Sequence, residues 1–335
     1  MTAQTSTTPL PPLRIGTRGS DLAMTQTTTV ADALAAASGR EVELVRIRTE
    51  GDRSSASLSS LGGTGVFAAA LREALLAGEC DMAVHSLKHL PTLPTEGLTI
   101  AALPHRGDPR DVLCARERAG LTALPHGARV GTGSPRRAAQ LRLARPDLEV
   151  LDIRGNVGTR LARLESDLDG VVLARAGLTR LGMLDRASQT LEPDVMLPAP
   201  GQGALAVECR TADLEGPVGT ALRMIDHVPT RLAVLAERAV LRTLEAGCTA
   251  PVAAHATLTD DGPRLFLRAG VFDPSGARAV VREDSATVPA EADVAALAET
   301  TPEVLDRQVW DRATGLGQRL AHRLLADGAA EVAEL

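Results

Sequence analysis

The sequence predicts an α/β protein of two similar units followed by a smaller α+β unit. Three observations carry this. From Leu13 onward, short apolar runs alternate with longer stretches of helical periodicity, the signature of a parallel or mixed sheet covered by helices. The breaker-rich Leu103-Pro104-His105-Arg106-Gly107-Asp108-Pro109-Arg110 separates two such series. After Val228 the pattern changes to a long helix, alternating strands and a closing helix. At 335 residues the chain is too long for one compact core, which fits two or three domains.

In the first unit, Leu13 to Thr17 reads as a strand, and Ser20 is placed to cap a helix running to about Ala37. Val42 to Arg48 is a second strand. Gly62-Gly63-Thr64-Gly65 is a tight turn opening a helix, Ala68 to Ala77, and Asp81 to His85 is a third strand. The second unit begins near Asp111. Arg129 to Gly131 is a strand, Ser134 caps a helix with Pro135 in its first position, and Arg136 to Ala144 continues it. Leu148 to Ile153 is the next strand, a helix runs from Asn156 to about Ser166, and Gly170 to Ala174 is another strand. Leu197-Pro198-Ala199-Pro200-Gly201-Gln202-Gly203 breaks the pattern as a hinge would. In the last unit Pro229 to Leu244 is an amphipathic helix and Gly247-Cys248 a turn. Val252 to Thr257, Arg264 to Val271 and Ala279 to Arg282 are antiparallel strands, and Ala313 to Ala326 is the closing helix.

Hydrophobic residues make up 44% and aromatics only 1%, so the core must be built from Leu, Val and Ala. No apolar run is long enough to span a bilayer, and Met1 to Pro12 is a polar Thr/Pro tail without the features of a signal peptide. A cytoplasmic protein with no membrane partner is expected. Cys80, Cys114, Cys209 and Cys248 are far apart and form no C-x-x-C pair, which indicates neither a zinc site nor a disulfide framework, and no metal. A formal net charge of -6 argues against a nucleic-acid binder.

That acidic balance hides a local excess of arginine. Arg136, Arg137, Arg142, Arg145, Arg154, Arg160, Arg163, Arg175 and Arg180 fall in one stretch, which suggests a concave anion site. Of 36 basic residues Lys88 alone is lysine, at the end of an apolar strand in Ala83-Val84-His85-Ser86-Leu87-Lys88-His89. A chain biased so far toward arginine marks the surviving lysine as a place where an ammonium is not readily replaced by a guanidinium. In open α/β sheets ligands bind beyond the carboxyl ends of the strands. The residues there are Arg14, Arg18 and Ser20, then His85 to His89, Ser134, Arg136 and Arg137, Arg154 and Arg160, and Arg180. Any single one of these arginines reads as a solvated helix-face residue. Their coincidence at strand ends favours a polyanion cleft. Ser134-Pro135-Arg136-Arg137 is the sharpest case, because a capped helix start offers free N–H groups and a positive dipole end.

No G-x-x-x-x-G-K-[ST] or ribose-binding G-x-G-x-x-G element is present, so carboxylates fit the forked arginines better than nucleotide phosphates. Cys248, in Leu244-Glu245-Ala246-Gly247-Cys248-Thr249, is a loop thiol among small residues and open to an electrophile. The other three cysteines read as inert core.

Together these motifs resemble the porphobilinogen deaminase (hydroxymethylbilane synthase) family along almost the whole chain. The resemblance rests on Arg14-Ile15-Gly16-Thr17-Arg18-Gly19-Ser20, Thr49-Glu50-Gly51-Asp52-Arg53, Val84-His85-Ser86-Leu87-Lys88, Asp108-Pro109-Arg110-Asp111, Arg136-Arg137, Arg154-Gly155-Asn156-Val157-Gly158-Thr159-Arg160, Ala176 to Gly182, Pro200-Gly201-Gln202-Gly203 and Leu244 to Cys248. It implies two domains like a type II periplasmic binding protein with two crossings between them, 13–105 with 204–222 and 110–198, and a third, 228–335, carrying the cysteine. It also implies a dipyrromethane cofactor joined by a thioether to Cys248. The expected activity is a transferase of porphyrin and haem biosynthesis: four porphobilinogen molecules are condensed head to tail with loss of ammonia at each step, and hydrolysis frees hydroxymethylbilane. By motif position Arg14, Arg18, Ser20, Lys88, Ser134, Arg136, Arg137, Arg154, Arg160 and Arg180 hold cofactor and substrate acids, with Arg18 also near the departing amine. A monomer is expected.

Two positions depart from what the resemblance implies. The family usually places an aspartate after the lysine, and here His89 follows Lys88. A neutral imidazole can accept one pyrrole N–H but supplies no negative charge. Where Gly-Gly-Lys-Gly is common the chain has Gly62-Gly63-Thr64-Gly65, and Gly133 precedes Ser134 where a serine is common. Two readings follow: an active deaminase in which His89, or an acid such as Asp52 or Asp108, stabilises the pyrrole cation, or a non-catalytic tetrapyrrole- or carboxylate-binding protein.

Overall fold

The computed structural model describes residues 11–47, 66–247, 250–259, 264–288 and 307–333. Thr49 to Arg53, Gly62 to Gly65 and Cys248 lie outside them. The first series comprises β1 (Leu13–Thr17), α1 (Asp21–Ser38), β2 (Val42–Arg46), α2 (Val66–Leu76), β3 (Met82–Ser86) and β4 (Leu98–Ala102). The second comprises β5 (Asp111–Ala115), β6 (Arg129–Gly131), α3 (Pro135–Ala144), β7 (Glu149–Leu151), α4 (Val157–Ala162), β8 (Gly170–Ala174), α5 (Arg175–Arg180) and β9 (Gln189–Leu191). The chain then returns through β10 (Leu205–Arg210) and α6 (Pro217–Arg223). The remainder is α7 (Val228–Thr243), β11 (Val252–Thr259), β12 (Arg264–Phe272), β13 (Ala279–Thr287), α8 (Arg307–Ala326) and α9 (Ala329–Ala333).

The helix starts follow the local chemistry. Ser20 accepts a hydrogen bond from Ala23 N, Ser134 from Arg137 N, and Asn156 from Thr159 N, each satisfying a donor left open in a first turn.

Two five-stranded sheets have the orders β2-β1-β3-β10-β4 and β7-β6-β8-β5-β9. In each, three parallel strands are followed by an antiparallel strand in fourth place, β10 or β5. Each antiparallel strand is reached by a crossing from the other sheet. The third sheet, β11-β12-β13, is antiparallel and packs its buried Ala254, Leu265, Leu267 and Val271 against α7 and α8. The strands β4, β5, β9 and β10 were not evident in the sequence. They are three to six residues long, and β5 and β10 adjoin the breaker-rich crossings; their long-range pairing makes them strands. Conversely, the strand expected over Leu148 to Ile153 is paired only at Glu149–Leu151, and burial of Leu148 and Ile153 accounts for its apolar ends. The helix expected to reach Ser166 ends at Ala162 and passes into a 3-10 turn, whereas α8 starts at Arg307, earlier than expected.

The crossings are joined to each other and to α7. Gly107 N donates to Gly203 O at 3.2 Å. Gly203 has φ 86°, and a Cβ there would sit 2.3 Å from Gly107 O, so both conformation and space require glycine. The fully buried Glu237 of α7 accepts two bonds from Arg106, at 2.7 and 2.9 Å, one from Gly201 N at 2.6 Å and one from Ala256 N at 2.8 Å. One carboxylate thus ties both crossings to the third sheet, with every charge-assisted bond made inside the protein.

Candidate active site

The topology brings the ends of many strands together. β1 and β3 are parallel, so Arg18 and the turn after Ser86 leave the first sheet on the same side. β10 is antiparallel, with Leu205 opposite Ser86, and it delivers Gln202 and Gly203 to that side. In the second sheet β6, β7 and β8 leave toward Ser134, Arg154 and α5, while antiparallel β5 starts there with Asp111 opposite Ala174. The carboxyl-end rule found the first set of residues. It could not find Asp111 and Gln202, which arrive at the amino ends of reversed strands.

Asp111 is the electrostatic centre. Its side chain has no exposed surface and accepts bonds from Arg136 Nη2 at 2.7 Å, Arg137 Nη2 at 2.7 Å and Nε at 3.1 Å, and Gln202 Nε2 at 2.8 Å. Burial alone would raise its pKa, but the two guanidiniums hold the carboxyl well below the usual carboxylate range. The expectation that Arg136 and Arg137 face ligand acids therefore meets a resident anion. Arg136 Nη1 is also taken by Leu197 O, and Arg137 Nη1 by Val172 O. Arg136 Nε is buried with no hydrogen-bond partner among the described residues.

Gln202 carries the contact across to the first sheet. Its Oε1 accepts from Lys88 Nζ at 3.2 Å, and its Nε2 also donates to Pro109 O at 2.6 Å. Lys88 and His89 lie in the 3-10 turn Leu87–His89 directly after β3. Burial, then repulsion from Arg137, pushes the half-buried Lys88 ammonium down to about 7, against an upward pull from Asp111. His89 has an exposed ring within this otherwise enclosed, cationic setting. Enclosure, followed by repulsion from Lys88, Arg18, Arg137 and Arg160, lowers its pKa. Contact with water tempers the first cause and leaves the four cations in force, so the imidazole is neutral.

Arg160 is held by Nε to Gly155 O at 2.8 Å, and its two terminal nitrogens make no hydrogen bond among the described residues. Enclosure and the nearby Arg137 lower its pKa. Arg154 is exposed and 3.2 Å from Asp152. Arg180 donates to Gly203 O at 2.6 Å, at the crossing. Ser20 and Ser134 face this region as helix caps. Arg14 does not join it: on the second residue of β1, it pairs with Asp81 at 2.8 Å and with Gly78 O and Glu79 O at the opposite end of the sheet. His85 also points elsewhere, with Nε2 3.1 Å from the buried Glu208. Asp108 is occupied by Arg110 at 2.7 Å and Arg175 at 3.0 Å, so it has no carboxylate oxygen to spare for the role suggested for it. Gly133, the serine position of the resemblance, is explained by space: a Cβ there would be 2.5 Å from Ile153 O.

The described chain is thus two α/β sheets whose strand ends share a group of cations around the buried Asp111, with a third, α+β part fastened to their crossings. The family models make this specific. "Porphobilinogen deaminase, dipyromethane cofactor binding domain" matches residues 13–216, and "Porphobilinogen deaminase, C-terminal domain" matches residues 231–326. The chain belongs to the porphobilinogen deaminase family. It is 53% identical over 326 residues to the porphobilinogen deaminase of Leifsonia xyli subsp. xyli, covering 96% of this chain and 94% of the relative. The enzyme of Thermobifida fusca is 52% identical, covering 96% and 95%, and that of Mycobacterium tuberculosis 56% identical, covering 76% and 82%. Among solved structures, a periplasmic substrate-binding protein of an ABC transporter from Coxiella burnetii aligns with 64% of this chain and 91% of its own, with a TM-score of 0.42 and 14% identity.

Proposed function

We propose that this chain is a hydroxymethylbilane synthase: a transferase that condenses four porphobilinogen molecules head to tail, releasing ammonia at each step, for tetrapyrrole and haem biosynthesis. The observation that carries the reading is the charge imbalance at the shared strand ends. Among the described residues, Arg136, Arg137, Arg160 and the ammonium of Lys88 gather around the buried Asp111, with Asp152 the other carboxylate beside them. Enclosed cations in such excess call for an anionic ligand, and each porphobilinogen brings an acetate and a propionate.

A covalent dipyrromethane, joined by a thioether to Cys248, suits the donors present. The unclaimed terminal nitrogens of Arg160 are the forked donors that carboxylates accept. When bound, the group supplies the free pyrrole α-carbon to which the first substrate is joined. Arg18, Lys88, Ser134, Arg154, Arg160 and Arg180 hold acid groups, with Arg18 placed for the departing amine, while Arg136 and Arg137 act through their field from the Asp111 centre. Arg14 takes no part. His89 accepts a pyrrole N–H through one unprotonated ring nitrogen. Because it adds no negative charge, it leaves the cationic step less stabilised than a carboxylate would.

In this reading the two large sheets are the cores of lobes of the type II periplasmic-binding-protein kind, 13–105 with 204–222 and 110–198, and residues 228–335 form the third domain. The repeated strand order with its reversed fourth strand supports it. The enzyme works as a cytoplasmic monomer. The large exposed hydrophobic residues, Leu76, Leu93, Leu143, Val195 and Met224, come from separate segments, and no described helix is long and apolar enough to cross a membrane.

The test is the intact mass of the protein as isolated beside its Cys248→Ala variant. The wild type should be heavier than its sequence by one dipyrromethane, and the variant should have its sequence mass and no turnover. An added mass that persists in the variant places the attachment elsewhere.

A further inference from the structure

The turn that carries Lys88 and His89 is anchored in its own unit by the packing of Leu87 and Leu90 with Leu103, Ala204 and Ala206. Within it, Leu90 N bonds to Leu87 O at 3.0 Å, and Leu87 N bonds to Ala204 O at 3.1 Å; Ser86 at its start makes no side-chain cap. The carbonyls at its far end are taken by one residue of another part of the molecule. Arg238, on α7, donates from Nη2 to Pro91 O at 2.6 Å and from Nη1 to Leu90 O at 2.9 Å, with Leu87 O at 3.5 Å. One turn earlier on the same helix face, Val234 is buried against Leu87 and Leu90. Leu87, Leu90 and Val234 are each 1 to 2% exposed, so apolar packing and the guanidinium act on the same segment, Leu87 to Pro91.

The other side of α7 belongs to the third core, through Leu232, Ala236 and Val240, and the helix ends at Thr243, a few residues before Cys248. We infer that Arg238 is a positioning residue for the condensation: it fastens the backbone of the Lys88–His89 turn to the helix leading to Cys248, setting the reacting turn in register with the primer's attachment point. The inference rests on the deaminase reading for its kinetic consequence and on geometry alone for its effect on Lys88. Its neighbour Glu237 holds the crossings from the same helical turn, so α7 fixes the turn and the crossings together.

Because Lys88 is the only lysine, protein labelled with 13C,15N-lysine gives one side-chain signal whose titration reports this turn directly. In Arg238→Ala the Lys88 titration should move up toward the ordinary lysine value as the turn relaxes and the amine becomes more hydrated. Turnover of porphobilinogen should fall roughly 10- to 100-fold, the loss typical of a misplacement of about 1 Å. KM should change little, since most of the acid-binding arginines lie on the second sheet. Added guanidinium should restore part of the lost turnover. If Arg238→Ala does not fold, Arg238→Lys, which keeps a single donor, should show the same changes at smaller size. A folded variant whose Lys88 titration and kcat both match the wild type overturns the inference, as does a lowered unfolding midpoint with Lys88 unmoved. Should the wild type itself consume no porphobilinogen, the deaminase reading fails, and the Lys88 titration still decides whether Arg238 sets the turn.

Discussion

Replacing His89 with aspartate should raise the rate of tetrapyrrole formation by about 10²- to 10³-fold, the range associated with one preorganised electrostatic contact. The wild-type imidazole is neutral because enclosure, and then the nearby Lys88, Arg18, Arg137 and Arg160, disfavour its charged form, and a neutral ring offers a pyrrole one acceptor and no charge. The same four cations would keep a carboxylate at position 89 ionised, so both oxygens could accept N–H groups while the charge opposes the developing pyrrole cation. Among the described residues, the nearby acids are already engaged, and Asp52 lies outside those residues. Asp111 is consumed by Arg136, Arg137 and Gln202, and Asp108 by Arg110 and Arg175. Single-turnover measurement with porphobilinogen checks the prediction at the chemical step. A fall in rate would mean that the histidine performs chemistry a carboxylate cannot, such as accepting a proton while neutral.

Asp111→Ala should destabilise the protein by about 3–5 kcal/mol, the cost of leaving buried charge uncompensated. Arg136 and Arg137 are 3% and 5% exposed and share this one carboxylate, so its removal strands two guanidiniums. The pH dependence has a definite sign. The folded-state pKa of Asp111 is depressed, so its contribution is present above the ordinary aspartate value of about 4 and is lost as pH falls through that value toward the folded one. Urea unfolding should therefore show a wide gap between wild type and variant at pH 7 that narrows below about pH 4. A gap that stays constant across this range would assign the effect to lost packing rather than charge.

Local rules made much of this legible. Ser20, Ser134 and Asn156 announce helix starts because a short polar side chain before a helical run has an open N–H to meet. Lys88 stood out by composition, and its surroundings, Gln202, Arg137 and Arg160, became visible only with the topology. Asp111 and Gln202 were visible as residues but hidden as partners, since each enters through a reversed strand whose place in the sheet depends on pairing with distant segments. An aspartate opening an apolar run, in a chain with two arginines at a capped helix start, was the available clue. Arg14 was misplaced for the opposite reason. Three residues of strand, at about 3.3 Å each, separate it from the end that carries Arg18, and its partner Asp81 sits at the start of β3. The cofactor role proposed for Cys248 rests on family resemblance, because a loop thiol beside glycine carries no such information by itself.

The most direct measurement is stoichiometric turnover by the protein as isolated. Incubated with porphobilinogen, it should release one ammonia for each molecule consumed and yield hydroxymethylbilane from every four. Binding of porphobilinogen with neither ammonia nor tetrapyrrole formed would contradict the account and leave a carboxylate-binding protein with the family's fold.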